Sequence, residues 1–246
     1  GTDDIVREMQ KKNPIIKLIV EKERNGKSSA INLFLKEARS NIAVIESGDT
    51  VPHNDVLEKL ISPFKDESVG MTGGRPSPIN TSDNFIGFSV NLLWKLHHKM
   101  ALKTPKLGEM IAFRKIFDKI PSKSAVDEAS IEAIMHKNNL SLKYIPDAVI
   151  FNKGPENIKE FIIQRKRIMT GHLWLESKYN YKVVSQKKSL LIKITLSEML
   201  HRPNRIHWIF GTVFIEIYSR ILGWIDFSLF KKNPFKWEIV KSTKKL

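Results

Sequence analysis

Short β-branched runs alternate with amphipathic helical stretches from the first residues to about position 152, and few folds accept that order. The spacing predicts a helix over 4–12, a strand at "IIKLIV" (15–20) and a helix over 26–38 with Ala30, Ile31, Phe34, Leu35 and Ala38 on one face. It then predicts strand "IAVIE" (42–46), a helix over 53–62, strand "SVGMTGG" (68–74), a long helix over 84–102 and strand "GEMIAF" (108–113). A helix over 127–138 and two short strands over 140–152 complete the series. Strands and helices in this rhythm predict an α/β sandwich around a mainly parallel central sheet. The 246 residues suit one fair-sized domain with a helical appendage, divided here as 1–182 and 183–246.

Within that frame the acidic residues stand in telling places. The apolar run 42–45 ends in "ESGDT", carboxylates on a tight turn. Ligands of α/β sheets bind beyond the carboxyl ends of the strands, which points Asp49 into the crevice. Alone, the Asp49-Thr50 pair reads first as a cap for the helix after Pro52, and only the motif series below favours a metal role. "RNGKSSAIN" (24–32) sets Gly26 and Lys27 at a helix start, where unpaired N–H groups favour an anion. "VDEASIE" begins a helix with Asp127 and Glu128, acids that suit the helix dipole whatever else they do. With no Cys among the 246 residues, disulfides and thiolate metal sites are excluded.

The order of these pieces says more than any one of them. "GTDD", a strand, "RNGKSSAIN", "ESGDTVP", "TGGRPSP", "GEMIAFR", "VDEASIE", "YIPDAVIFNKGP" and "QRKRIMTGH" follow one another over about residues 1–172. This series resembles the family 2 glycosyltransferases, whose nucleotide-sugar-binding α/β fold is called GT-A. The resemblance implies transfer of a sugar from a nucleotide-diphosphate sugar to a sugar or lipid-linked acceptor, metal-assisted and inverting. It also implies one more strand and a carboxylate loop ahead of Gly1. The family's Asp-x-Asp becomes Ser47-Gly48-Asp49 here, so Asp49 is the expected ligand of Mg2+ or Mn2+, hard cations that take oxygen donors. Ser47, Gly26, Lys27 and Asn32 are assigned to the donor side. The family's Glu-Asp becomes Asp127-Glu128, giving Glu128 as the base and Asp127 as its second. Gly108 and Glu109 fall on the acceptor side. Gln164 and Arg167 match the Gln-x-x-Arg of processive synthases and face the donor diphosphate, while Ile168 replaces the Trp that would follow and argues against polymer synthesis. A catalytically silent relative, or a basic binding module, stays open as an alternative.

Charge is concentrated in the tail. Residues 1–150 hold 22 Lys and Arg against 19 Asp and Glu, whereas residues 151–246 hold 19 against 7, most of the net +15. Such a tail suits a polyanion, either nucleic acid or an anionic membrane. No helix-turn-helix, RNA-binding sheet or zinc pattern occurs, so nucleic acid is not the expected partner. Beyond a helix ending near 177 and another over 185–200, "IHWIFGTVFIEIYSRILGWIDFSLF" (206–230) carries one wide apolar stripe. Glu216 and Arg220 are four apart and able to pair. As mid-span charges they would each oppose insertion by about 2.5–3.5 kcal/mol. Trp208, Tyr218, Trp224 and Trp237, with flanking basic residues, favour a helix lying in an anionic membrane surface, at its cytoplasmic face. A helix that spans the bilayer is the second reading, and packing of the same stripe on the catalytic domain or on a second subunit is the other alternative.

Overall fold

The computed structural model describes residues 1–182, 188–236, 240 and 242–244. Helix α1 (Thr2–Lys12) precedes α2 (Lys27–Glu37), β1 (Ile42–Glu46), β2 (Thr50–Pro52), α3 (Val56–Ile61) and β3 (Val69–Pro78). Then come α4 (Phe85–Ala101), β4 (Met110–Arg114), α5 (Asp127–Lys137) and β5 (Ser141–Asn152). Helices α6 (Ile158–Tyr179), α7 (Lys188–His201) and α8 (Ile206–Ser228) form the remainder. The boundary expected after residue 182 adjoins residues 183–187, and Trp237 likewise lies outside the described residues.

The five strands are ordered β1-β4-β3-β5-β2. Only the β3–β5 ladder is parallel; β1–β4, β3–β4 and β2–β5 are antiparallel. The sheet is therefore mixed and mostly antiparallel, not mainly parallel as the alternation suggested. The reason lies in neighbour choice. β1 and β3 do run the same way, as a β-α-β step requires, but β4 inserts between them in the opposite sense. Alternation in sequence reports which elements exist and not which strand is inserted where.

Two further expectations change. Residues 15–20 have the composition of a strand but join no ladder, and Ile15 and Val20 are exposed. β-propensity describes fit to a pleated, half-buried surface, and this run, with Ile16 and Leu18 half-buried, has no strand partner among the described residues. The two strands expected over 140–152 are one, β5, with a register shift opposite Gly73–Arg75.

The core follows from period-two alternation. Ala43, Ile45, Ile111 and Phe113 face one side and pack with Ile31 and Leu35 of α2 and Ile131 and Met135 of α5. Met110, Ala112 and Val69 face the other side, against Val56 and Leu60 of α3. A separate cluster joins Phe88, Leu92 and Leu96 of α4 to Ile194 of α7 and Ile209 of α8. Glu198 of α7, fully buried, is held by Lys95 and Lys99 of α4.

Helix α8 packs through its small and polar residues and turns most of its apolar stripe outward. Its inward residues are Ile209, Thr212, Ile215, Glu216, Ser219 and Gly223. Small side chains let backbones approach: a Cβ on Gly223 would stand 2.8 Å from the Lys166 carbonyl oxygen of α6. Thr212 and Ser89 hydroxyls meet at 2.8 Å, tying α8 to α4. Glu216 receives both Nε and Nη2 of Arg165 and Nε of Arg220, each at 2.7 Å. The paired charges therefore face protein. Phe210, Phe214, Ile217, Tyr218, Ile221 and Trp224, each about half exposed or more, point outward. By length and composition α8 with its leading turn is apolar enough to cross a membrane.

Candidate active site

The antiparallel β1–β4 ladder places Glu46 opposite Met110, so the turn after β1 lies beside the residues that enter β4. The Ser47 amide donates to the Glu109 carbonyl at 3.2 Å, and the Thr50 amide and hydroxyl close the turn on the Ser47 carbonyl at 3.2 and 2.7 Å. Thr50 in turn lies opposite Asn152 at the end of β5. Three strand ends thus meet around one half-buried residue: Asn152 Nδ2 donates to Glu109 Oε1 at 3.2 Å.

Glu109 has φ 62°, the left-handed region that costs a non-glycine residue on the order of 1 kcal/mol. Beside it, Gly108 faces open space, with nothing within 4 Å of where a Cβ would stand. Burial, then the neighbouring Glu128 and Asp49, push Glu109 up to about 7 despite Lys27. A raised carboxyl stabilises the fold fully below its usual 4.5, and that contribution is lost as pH rises through about 7. Glu109→Gln, neutral throughout, should therefore change little near pH 4 and gain relative stability above pH 7, by up to roughly 3 kcal/mol. Urea midpoints of the two proteins at both pH values check this; an offset that does not vary with pH would contradict it.

Lys27 opens α2 and is half-buried. Its ammonium lies 2.9 Å from Asp127 Oδ2, 2.9 Å from Glu128 Oε1 and 3.3 Å from the Ser47 hydroxyl. Burial works to lower the Lys27 pKa, but Glu128 and Asp127 outweigh it and hold the pKa above its usual value. Of the two acids, Asp127 has a side chain only 4% exposed and Glu128 one 23% exposed. Burial and Glu128 raise Asp127. Burial opposes ionisation of Glu128 too, yet Lys27 and then Arg167 keep it below the usual carboxylate range.

Arg167 on α6 closes the group. Burial lowers its guanidinium, and Glu128, Asp127, Glu109 and Asp49 all act in the opposite sense. Asp49 and Glu128, far apart in the chain, therefore act on the same two side chains, Arg167 and Glu109. Gln164, one turn earlier, is half-buried, and its side chain forms no hydrogen bond among the described residues.

Not every residue assigned from sequence joins this cluster. Asn32 donates to the Ile120 carbonyl at 3.0 Å and accepts from the Ile120 amide at 2.8 Å, anchoring the loop that leads to α5. Gly26 has φ 88°, and a Cβ there would stand 2.5 Å from the Phe235 carbonyl oxygen. The segment after α8 runs back to this point, with Asn233 Nδ2 bonded to the Lys123 carbonyl at 2.9 Å. Glu132, not singled out from sequence, is also raised to about 7 by burial and accepts the Leu107 amide at 3.1 Å. Its only signal was position, one turn beyond Glu128 on α5.

As to metal, no group of three His, Cys, Asp or Glu among the described residues is placed to hold an ion. Asp49, half-buried on its turn, is a single hard donor. That fits a cation whose remaining ligands come from a bound phosphate, the usual manner for Mg2+ at nucleotide sites.

Comparison with known proteins bears on the fold and the family. The mannosyltransferase PcManGT from Pyrobaculum calidifontis, solved in complex with GDP-Man and Mn2+, superposes with a TM-score of 0.59 at 19% identity, covering 96% of this chain and 69% of that one. The probable glycosyltransferase YdaM of Bacillus subtilis (strain 168) is 23% identical over 207 residues, 78% of this chain. The chain spans about half the length of that relative, 49%. The sequence pattern described as Glycosyl transferase family 2 matches residues 1–134, from α1 into α5. That match takes in Lys27, the turn at Asp49 and the acids at 127 and 128, and with more than half of its length covered the chain belongs to glycosyltransferase family 2.

Proposed function

We propose that the protein transfers a sugar from a nucleotide-diphosphate sugar to an acceptor hydroxyl or phosphate by one inverting displacement. The observation that carries this reading is the convergence of Asp49, Glu109, Glu128 and Arg167 at the strand ends. A carboxylate, an arginine and an accessible second carboxylate are what such a displacement needs. Glu128, ionised and the more accessible of its pair, accepts the acceptor's proton. Arg167 faces the diphosphate and offsets the charge that gathers on it as the bond to the sugar breaks. Asp49 would hold Mg2+ or Mn2+, and when bound the cation neutralises the leaving diphosphate. Gly108 and Glu109 line the acceptor side, where open space lies beside the glycine. Gln164, with its amide unengaged, Ser47 and the start of α2 lie toward the donor. The Mn2+ and GDP-Man of the Pyrobaculum calidifontis enzyme support a metal and a nucleotide sugar of this class.

A panel of nucleotide sugars with divalent metal, scored by released nucleotide, tests the reading. Asp49→Ala should abolish turnover while the far-ultraviolet circular dichroism stays that of the parent. Ordinary turnover in that variant would remove the metal role.

The outward face of α8 supports a membrane-bound acceptor. Its bulky residues point away from the protein, and the basic residues of the tail suit anionic lipid. Flotation with anionic liposomes should carry the protein upward at low salt, and Phe214→Ser with Ile217→Ser should leave it at the bottom of the gradient. Unchanged flotation of the double variant would remove α8 from the contact.

A further inference from the structure

Asn152 ends β5 at a junction of the site. Thr50 of β2 and Pro78 of β3 flank it in the sheet, and its carbonyl accepts the Ile79 amide at 2.9 Å. It is only 5% exposed. Its Nδ2 donates to Glu109 Oε1 at 3.2 Å, and its Oδ1 is enclosed without a partner. An unmatched buried oxygen destabilises the fold, and an apolar side chain of similar size would fill the place without that penalty. What the amide adds is the bond to Glu109.

Glu109 is kept on similar terms. A glycine would adopt φ 62° without strain, so this side chain stands where the backbone opposes it. The Ser47 amide fixes its carbonyl and Asn152 fixes Oε1, while Oε2 forms no hydrogen bond among the described residues. The adjoining Gly108 faces open space. A carboxyl with one oxygen tied to the scaffold and the other untied is set to meet a ligand.

The surrounding charge selects the kind of ligand. Burial, then Glu128, raise Glu109, with Asp49 adding to the rise and Lys27 opposing it. Lys27 already meets Asp127 and Glu128, and Arg167 answers to Glu128, Asp127, Glu109 and Asp49 together. A phosphate oxygen brought beside Glu109 would meet further negative charge. An uncharged hydroxyl, donor and acceptor at once, suits a carboxyl that is part protonated near neutrality.

We propose that Asn152 is a positioning residue, and that the Glu109 oxygen it leaves open takes an uncharged hydroxyl of the acceptor in preference to a phosphate. Placing that hydroxyl on an acceptor rests on the transferase reading above; the Asn152–Glu109 unit does not.

The first test needs no donor, metal or acceptor. In the full chain, isotopically labelled at the glutamate carboxyl carbons and followed by NMR, the resonance missing from Glu109→Gln is that of Glu109. Its titration should centre at about 7 in the parent. A hydrogen bond to an ionised group is the stronger kind, so Asn152 favours the carboxylate, and Asn152→Ala should move the midpoint up by about one unit. Asn152→Leu, which fills more of the space, should do the same and takes the place of the alanine variant if that one fails to fold. An unmoved midpoint overturns the positioning role. The second test is kinetic, with the nucleotide sugar that turns over and with octyl glycosides or octyl phosphate as acceptors. Asn152→Ala should raise the KM for the glycoside about tenfold and leave the donor KM unchanged. Combined with Glu109→Gln it should lose no more than the larger single effect, because the two residues act as one unit. A rise in the donor KM alone, effects that multiply, or a higher kcat/KM for octyl phosphate than for the glycosides overturns the proposal. Absent turnover with every nucleotide sugar, with the midpoint still moved by Asn152→Ala, speaks against the transferase reading and not against Asn152.

Discussion

Glu128→Gln lowers the turnover number by about 10²- to 10⁴-fold, the range for losing a general base, and changes donor affinity little. The substitution keeps the side chain's shape and leaves Oε1 able to accept from Lys27, 2.9 Å away. The ability to take a proton is removed, together with the negative charge that Lys27 and Arg167 face. The choice between the two adjacent acids rests on access: Glu128 is 23% exposed at its side chain and Asp127 is 4%. Lys27 and Arg167 keep Glu128 ionised below the usual carboxylate range against its burial. The acidic limb of the parent's pH–rate profile should therefore lie below the usual glutamate range and vanish in the variant. Asp127→Asn is the comparison. Buried beside Lys27, it should lower stability more than turnover. If Asp127→Asn abolishes transfer while Glu128→Gln turns over at the parent's rate, the base is Asp127.

Much of this arrangement was legible in the sequence because strand ends and helix starts are local. The turn after "IAVIE" and the acids opening α5 follow from hydrophobic period and capping chemistry alone, and both stand where the period placed them. What could not be read was pairing. Nothing local says that β4 enters between β1 and β3, yet that insertion brings Glu109 beside the turn. Nor does a helix start reveal its partner. Lys27 reads as a phosphate ligand by its place after Gly26, but its ammonium meets two carboxylates from a helix a hundred residues away. The apolar stripe of α8 was visible, but its orientation was not. The buried face is settled by Arg165, which neutralises Glu216 from another helix.

Lys27→Met should destabilise the fold by about 3–5 kcal/mol at neutral pH, the cost of leaving a buried charge without its partner. Lys27 bridges both acids at hydrogen-bond distance, 2.9 Å from each. Without it, Asp127 and Glu128 stand as adjacent buried carboxylates, and repulsion adds to burial in raising both. The sign of the pH dependence follows. In the parent, Glu128 has a lowered pKa, so its contribution is present above 4.5 and lost as pH falls through its folded value. In the variant both acids are raised. Protonation then relieves the strain, so the deficit is largest above pH 7 and shrinks toward pH 5. Asp127→Asn placed in the Lys27→Met background should recover more than half of the loss, because neighbours in one network do not add. A deficit equal at both pH values, or two losses that simply sum, would show that methionine fails for reasons of packing. The same linkage bears on chemistry. A diphosphate that drew Lys27 away from Glu128 would raise the carboxylate toward neutrality and make it a stronger base as the donor binds. The acidic limb of the profile should then shift upward between free enzyme and donor complex, and a limb at the same pH in both would sever Lys27 from the timing of proton transfer.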